Sequence, residues 1–181
     1  YENGIIKEKT GSYSDNKLDQ KWTYWADDGR KTQEVAYDKG VKNGSFLLWN
    51  VDNYKTIEGE YLTGEKHGTW TLWYENGTLK AQEGYANGEM DGQWVWWYPN
   101  GVKDREGSYK KGVKHGIWTL WNNADHKKSE ETFVNGILDG MVSIWYNNGY
   151  KDREGIIRGN EPEGSWVYYH ADGTEDFTFD Y

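Results

Sequence analysis

Five carboxylates recur at one spacing, each with a lysine three residues before it: Glu34, Glu58, Glu106, Glu130 and Glu154 follow Lys31, Lys55, Lys103, Lys127 and Lys151. Hydrolysis by paired acids needs two carboxyl groups roughly 5 to 9.5 Å apart in one cleft, held in unlike environments. Here the same acid is offered repeatedly, so no pair is singled out, and solvated cross-strand charge pairs are the expectation. His67 and His115 share a position before Gly68 and Gly116, but they stand two repeats apart. At about 5 Å per strand that is roughly 20 Å, too far to share a metal. His126 and His170 lie at other positions, and all four are expected at the surface. Asp27-Asp28-Gly29 and Asp172-Gly173 lack the spaced acids of a calcium loop and read as turns. The glycines from Gly40 to Gly44 lack the Lys-Ser/Thr and the helix that cradle phosphate. Asn43-Gly44-Ser45 and Asn76-Gly77-Thr78 match the glycosylation sequon, but turn geometry already accounts for Asn-Gly. With no cysteine there is no thiolate ligand, thiol nucleophile or disulfide. No catalytic residue, cofactor site or metal site is therefore expected.

One constellation remains. Trp25, Trp49, Trp73, Trp97, Trp121 and Trp145 are each 24 residues apart and form the candidate binding face. An exposed row of rings stacks sugars or bases, whereas rungs at a regular β spacing more often form the core of a repeat.

The elements that must position these residues follow from the same period. Trp22, Phe46, Trp70, Trp94, Trp118, Val142 and Trp166 keep the 24-residue register, with Tyr169 closing the first row. Gly29, Gly77, Gly101, Gly149 and Gly173 share a turn position that Asn53 and Asp125 complete, all three residue types tolerating positive φ. Tyr13, Tyr37, Tyr61, Tyr85, Tyr109, Phe133, Ile157 and Tyr181 close each repeat. Trp70-Thr71-Leu72-Trp73-Tyr74-Glu75-Asn76-Gly77 reads as a strand running into an Asn-Gly hairpin turn, and a second strand runs to Tyr85. The linker Ala86 to Gly92, with two glycines, predicts a tight return. No segment sustains a helical period over three turns. Because successive side chains in a strand point to opposite faces, Trp70 and Leu72 belong to one face, Thr71 and Trp73 to the other. Both faces should carry an aromatic ladder, the first being the more apolar.

The expected fold is all-β: an elongated, single-layer antiparallel meander of tandem 24-residue β-hairpin repeats with about 14 to 16 strands. Residues 1–181 read as one domain, with a partial repeat over 1–21, repeats starting at 22, 46, 70, 94, 118 and 142, and a final partial repeat over 166–181. Tyr1-Glu2-Asn3-Gly4 sits one residue out of phase, and Tyr181 completes a hairpin. The two end strands are accordingly expected to offer free edges for pairing.

Composition narrows the partners. Only 35% of residues are hydrophobic, yet twelve Trp and fifteen Tyr supply enough ring area to fold around. A formal charge of -9 repels nucleic acid and anionic lipid at long range. No apolar run approaches the roughly 20 residues that span a bilayer, so no direct membrane insertion is expected. A start at Tyr1 and the lack of cysteine incline the localisation toward export, to periplasm or cell surface, with the cytoplasm as the alternative.

Trp-x-x-Trp-Tyr-x-Asn-Gly, then Glu-Gly-x-Tyr, then the Gly88-Glu89-Met90-Asp91-Gly92 linker resemble the bacterial variant of the MORN repeat over essentially the whole chain. The resemblance implies an extended protein-binding scaffold, and for some members of that variant an antitoxin or immunity role. A protein partner is the leading expectation, with a glycan bound on the Trp row as the alternative.

Overall fold

The computed structural model describes residues 8–181, so the reading of Tyr1 to Gly4 lies outside the described residues. The described chain is all-β, and no helix in it is long and apolar enough to cross a membrane. It divides into two compact modules, Tyr1–Glu89 and Met90–Tyr181.

The N-terminal module carries β1 (Lys9–Ser14), β2 (Lys17–Trp25), β3 (Lys31–Asp38), β4 (Val41–Trp49), β5 (Lys55–Leu62), β6 (Glu65–Trp73) and β7 (Leu79–Ala86). The C-terminal module carries β8 (Glu89–Trp97), β9 (Lys103–Lys110), β10 (Val113–Trp121), β11 (Lys127–Val134), β12 (Ile137–Trp145), β13 (Lys151–Arg158), β14 (Glu161–Tyr169) and β15 (Glu175–Asp180). Within each module every strand pairs antiparallel with the next in sequence, giving an open meander.

Two kinds of turn alternate: the expected turn at Asn-Gly is wider than two residues, and the expected tight return falls in the linkers. The Asn-Gly sites are not two-residue hairpins. Gly77 donates its N–H to Tyr74 O at 2.9 Å, Tyr74 donates to Thr78 O at 2.8 Å, and Gly77 sits at φ 82°. The expected positive φ is met throughout this position, Asn53 (64°) and Asp125 (66°) included. Where glycine is missing, an asparagine three residues earlier compensates: Asn50 Oδ1 accepts from the N–H of Asp52 and Tyr54, and Asn122 Oδ1 from Ala124 and His126.

The tight two-residue turns lie instead in the linkers, where Lys39-Gly40, Thr63-Gly64, Asn87-Gly88, Lys111-Gly112 and Asn135-Gly136 all have positive φ at both residues. That is the backbone a right-twisted hairpin requires. Each of these glycines donates its N–H to the strand one repeat back, as Gly64 does to Lys42 O at 2.8 Å and Gly136 to Lys114 O at 2.8 Å. The second linker glycine is therefore not a loop residue. Gly68 and Gly116 lie inside β6 and β10 at positive φ, where three residues of the long strand oppose one of its neighbour, between Glu58↔Thr71 and Glu60↔His67 and between His115↔Ser108 and Thr119↔Glu106. Such a bulge bends the strand and increases its twist.

The first face is the core. Trp22, Phe46 and Trp70 in the N-terminal module, and Trp94, Trp118, Val142 and Trp166 in the C-terminal one, are all buried. The closing aromatics pack edge-on against them, Tyr61 on Trp70 at 5.0 Å and Tyr109 on Trp118 at 5.0 Å. A deeper order at twice the repeat length was not visible in the 24-residue pattern. Gly11, Gly59, Gly107 and Gly155 stand 48 residues apart, and a Cβ on any of them would fall inside 3.0 Å of the indole of Trp22, Trp70, Trp118 or Trp166. Each of those indoles donates Nε1–H to the carbonyl of the residue after its glycine: Ser12 (3.0 Å), Glu60 (3.1 Å), Ser108 (3.1 Å) and Ile156 (3.1 Å). The bare backbone lets the ring lie flat and satisfy its one donor, which burial would otherwise leave unpaired.

Candidate functional site

The second face holds the Trp row together with the Lys–Glu series, and the bulges explain how. In a regular strand, residues three apart point to opposite faces. The register slip at Tyr24/Trp25, with Thr23↔Glu34 but Trp25↔Lys31, brings Lys31 and Glu34 to one side, and the same slip recurs at Trp49, Trp121 and Trp145. The expected cross-strand charge pairs are instead contacts within one strand: Lys31–Glu34 at 2.6 Å, Lys55–Glu58 at 2.8 Å, Lys103–Glu106 at 2.7 Å, Lys127–Glu130 at 2.6 Å and Lys151–Glu154 at 2.7 Å.

Four lysines of this series also lie over the indole of the following repeat, and the fifth, Lys151, lies over the ring of Tyr169 at 6.0 Å. Lys31 Nζ is 5.2 Å from the Trp49 centroid, Lys55 5.6 Å from Trp73, Lys103 5.4 Å from Trp121 and Lys127 5.4 Å from Trp145. These rings are half-buried, as are Trp25 and Trp97. An ammonium seated on a ring face is attracted by the ring quadrupole and occupies the surface on which a sugar would stack. In the N-terminal module a shallow hollow of about 500 Å³ lies between Trp25 and Trp49, lined also by Arg30, Lys31 and Asn53. Arg30 is held there by Asp28 Oδ2 at 2.6 Å and Val51 O at 2.8 Å.

Electrostatically the carboxylates of this face are ion-pair partners. Burial raises the Glu34 pKa, but the Lys31 hydrogen bond and the charges of Lys31 and Lys21 outweigh it, and the net shift is downward. Glu154 is lowered by its Lys151 hydrogen bond against desolvation, with Tyr169 Oη donating at 3.0 Å and Ser143 Oγ at 3.2 Å. Every acid of the series pairs with the lysine three residues before it. The turn acids are used locally: Asp28 Oδ1 accepts from the Arg30 N–H, and Asp172 Oδ1 from the N–H and Oγ1–H of Thr174.

The histidines part company. His126 Nδ1 lies 2.7 Å from Asn147 O, and His170 Nε2 3.3 Å from Asp176. His67 and His115 are half-exposed, and the Nδ1 of each is buried and without a hydrogen-bond partner. Among the described residues no three His, Asp or Glu side chains gather as metal ligands.

Sequence reasoning missed a further feature of this face. Ile117 (59% exposed), Met141 (52%) and Ile156 (37%) line up across β10, β12 and β13, and no aromatic period marks them. Their signal lies in the neighbouring repeats, where the same positions hold Ser45, Thr69 and Glu60.

Fold and face together define a tandem β-hairpin repeat protein whose buried ladder is structural and whose other face is an ordered Lys–Glu–Trp surface. Residues 66–87 and 90–111 each match the MORN repeat variant. No curated protein is significantly similar to the chain in sequence.

Proposed function

We propose that this protein is a non-enzymatic repeat scaffold that presents the second face of its sheet to a protein partner, in an antitoxin-like, immunity-type or assembly role. The observation that carries this reading is the repetition of the surface: five lysines each engage a carboxylate and four of them lie over the next repeat's indole, so no position is set apart for a reaction. The match to the MORN repeat variant supports a repeat-based binding role.

The test is photo-crosslinking from positions on the second face, in the source cells, followed by identification of the adducts. Recovery of one protein from several second-face positions and none from the opposite face is the expected result. Binding of a saccharide on a glycan array, lost in Trp73→Ala or Trp97→Ala, would replace this reading with carbohydrate recognition. The lysines over Trp49, Trp73, Trp121 and Trp145 weigh against that outcome.

A further inference from the structure

Resting on the scaffold reading, we propose that the second face of the C-terminal module is the docking surface for an amphipathic helical segment of a partner protein, with basic residues at the end that crosses β14. Ile117, Met141 and Ile156 form a row running across the strands, since Ile117 pairs with Thr132 on β11 and Met141 with Ile156 on β13. Beside it, toward the two-residue turns, Val113 (42% exposed), Val134 (45%) and Ile137 (46%) make a second row. Val134 and Ile137 face each other across the β11–β12 turn, and Gly136 of that turn sits over Val113. Aliphatic side chains gathered this way on a strongly polar protein mark an interaction site, whereas scattered ones would not.

The N-terminal module supplies the contrast. On its long strands the Ile117/Met141 position is Lys21, Ser45 and Thr69, and on its short strands the Ile156 position is Ser12, Ala36, Glu60 and Gly84. The fold is the same in both modules, so the hydrophobic row is not needed to build the sheet.

The form of the occupant follows from the pairing. Strands β10 to β13 have both edges engaged by neighbours, so an added strand has no backbone groups to bind and a partner must lie on the face. Apolar side chains on one face of a helix recur about every 5 to 6 Å along its axis, close to the roughly 4.8 Å between strands. A helix laid along the Ile117–Met141–Ile156 row therefore meets one aliphatic or Thr132 contact per strand.

Charge decides the rest. Toward β14 the patch is bordered by Glu161, Glu163 and Asp180, while Asp139 lies within it on β12 between Ile137 and Met141; Arg158 is held by Asp139 at 2.9 Å and by Glu163 at 3.1 Å. At the opposite corner stand Lys110 and Lys111. A helix with lysine or arginine at its β14 end complements this border. A second copy of the chain would bring acid against acid at a net charge of -9 each.

Two measurements test the proposal on the intact chain. In the first, methyl resonances are followed while adding an 18-residue helical peptide of leucine and lysine with one apolar face, or its leucine–glutamate analogue. Selective shifts at Ile117, Met141 and Ile156 with the lysine peptide, weakened at least tenfold in Ile117→Thr/Met141→Ser/Ile156→Ser, are expected. Equal shifts with both peptides, shifts elsewhere only, or unchanged affinity of the triple variant would overturn it. The replacements are residue types that other repeats carry on this row, and unfolding curves confirm the fold; should the triple variant unfold, Ile117→Thr and Met141→Ser are read singly. In the second, crosslinked partner recovery is compared between wild type and the variant. Loss in the variant supports the patch, and equal recovery overturns the patch while leaving the scaffold reading intact. Recovery from neither overturns the scaffold reading, with the peptide titration still deciding the patch.

Discussion

At the scale of single residues, stability rests on a few indoles and on the glycines beneath them. Trp94 is 5% exposed and Trp73 half-buried under Lys55, so Trp94→Ala should cost about 3 to 5 kcal/mol and Trp73→Ala clearly less, read as shifts of urea midpoints. Gly107 carries a constraint of the same kind from the opposite side. A Cβ there meets the Trp118 ring, and Gly107→Ala should cost at least about 1 to 3 kcal/mol through overpacking. Gly112→Ala makes no such collision, since nothing lies within 4 Å, but it forces alanine to φ 77°. Loss of the Trp118 fluorescence environment on Gly107→Ala and not on Gly112→Ala would separate the two causes. The ion pairs of the second face give the protein an acid limit. Glu34 and Glu154 have pKa values lowered from the ordinary glutamate value, so each stabilises the fold above that value and loses the contribution as pH falls through its own depressed one. Glu34→Gln should therefore be less stable than wild type at pH 7, and the gap should close below about pH 4.

At the scale of the element, the two-residue turn is where the chain departs most from local preference. Left-handed backbone costs an ordinary residue about 1 to 2 kcal/mol, and a β-branched one has most to lose. Thr63 adopts φ 49°, in a position that Asn87 and Asn135 fill elsewhere. Thr63→Asn should accordingly raise stability by about 0.5 to 1 kcal/mol, seen as a higher thermal midpoint with unchanged far-UV dichroism. The Asn43 Oδ1 bond to the Thr63 N–H, at 3.0 Å, involves only backbone of residue 63 and survives the change. A lower midpoint would show that the threonine side chain contributes something that the geometry does not reveal.

At the scale of the whole molecule, each module is a series of nearest-neighbour contacts, so damage should stay local. Within the C-terminal module, Trp166→Ala should speed amide exchange in β13, β14 and β15 and leave β9 and β10 near their wild-type rates. Uniform loss of protection through the module would instead mean a single cooperative unit. The charge of -9 acts at the same scale, repelling other acidic molecules at long range.

The all-β fold, the repeat length and the two faces were legible in the sequence because a pleated strand has a period of two and these turns need residues that tolerate positive φ. Trp22 to Trp166 and Gly29 to Gly173 carry both signals without interruption. What only the tertiary structure decided depends on register between strands, which a one-dimensional pattern does not contain. The bulge at each linker glycine moved Gly68 and Gly116 from loop to strand, and the slip beside each Trp of the second row turned Lys31 and Glu34 from cross-strand partners into a pair on one strand. That same slip seats a lysine over Trp49, Trp73, Trp121 and Trp145, so the exposure of these four rings was set by a neighbour on the adjacent strand and not by tryptophan's own spacing. Ile117, Met141 and Ile156 stand 24 and 15 residues apart, and only antiparallel pairing across β10 to β13 makes them neighbours.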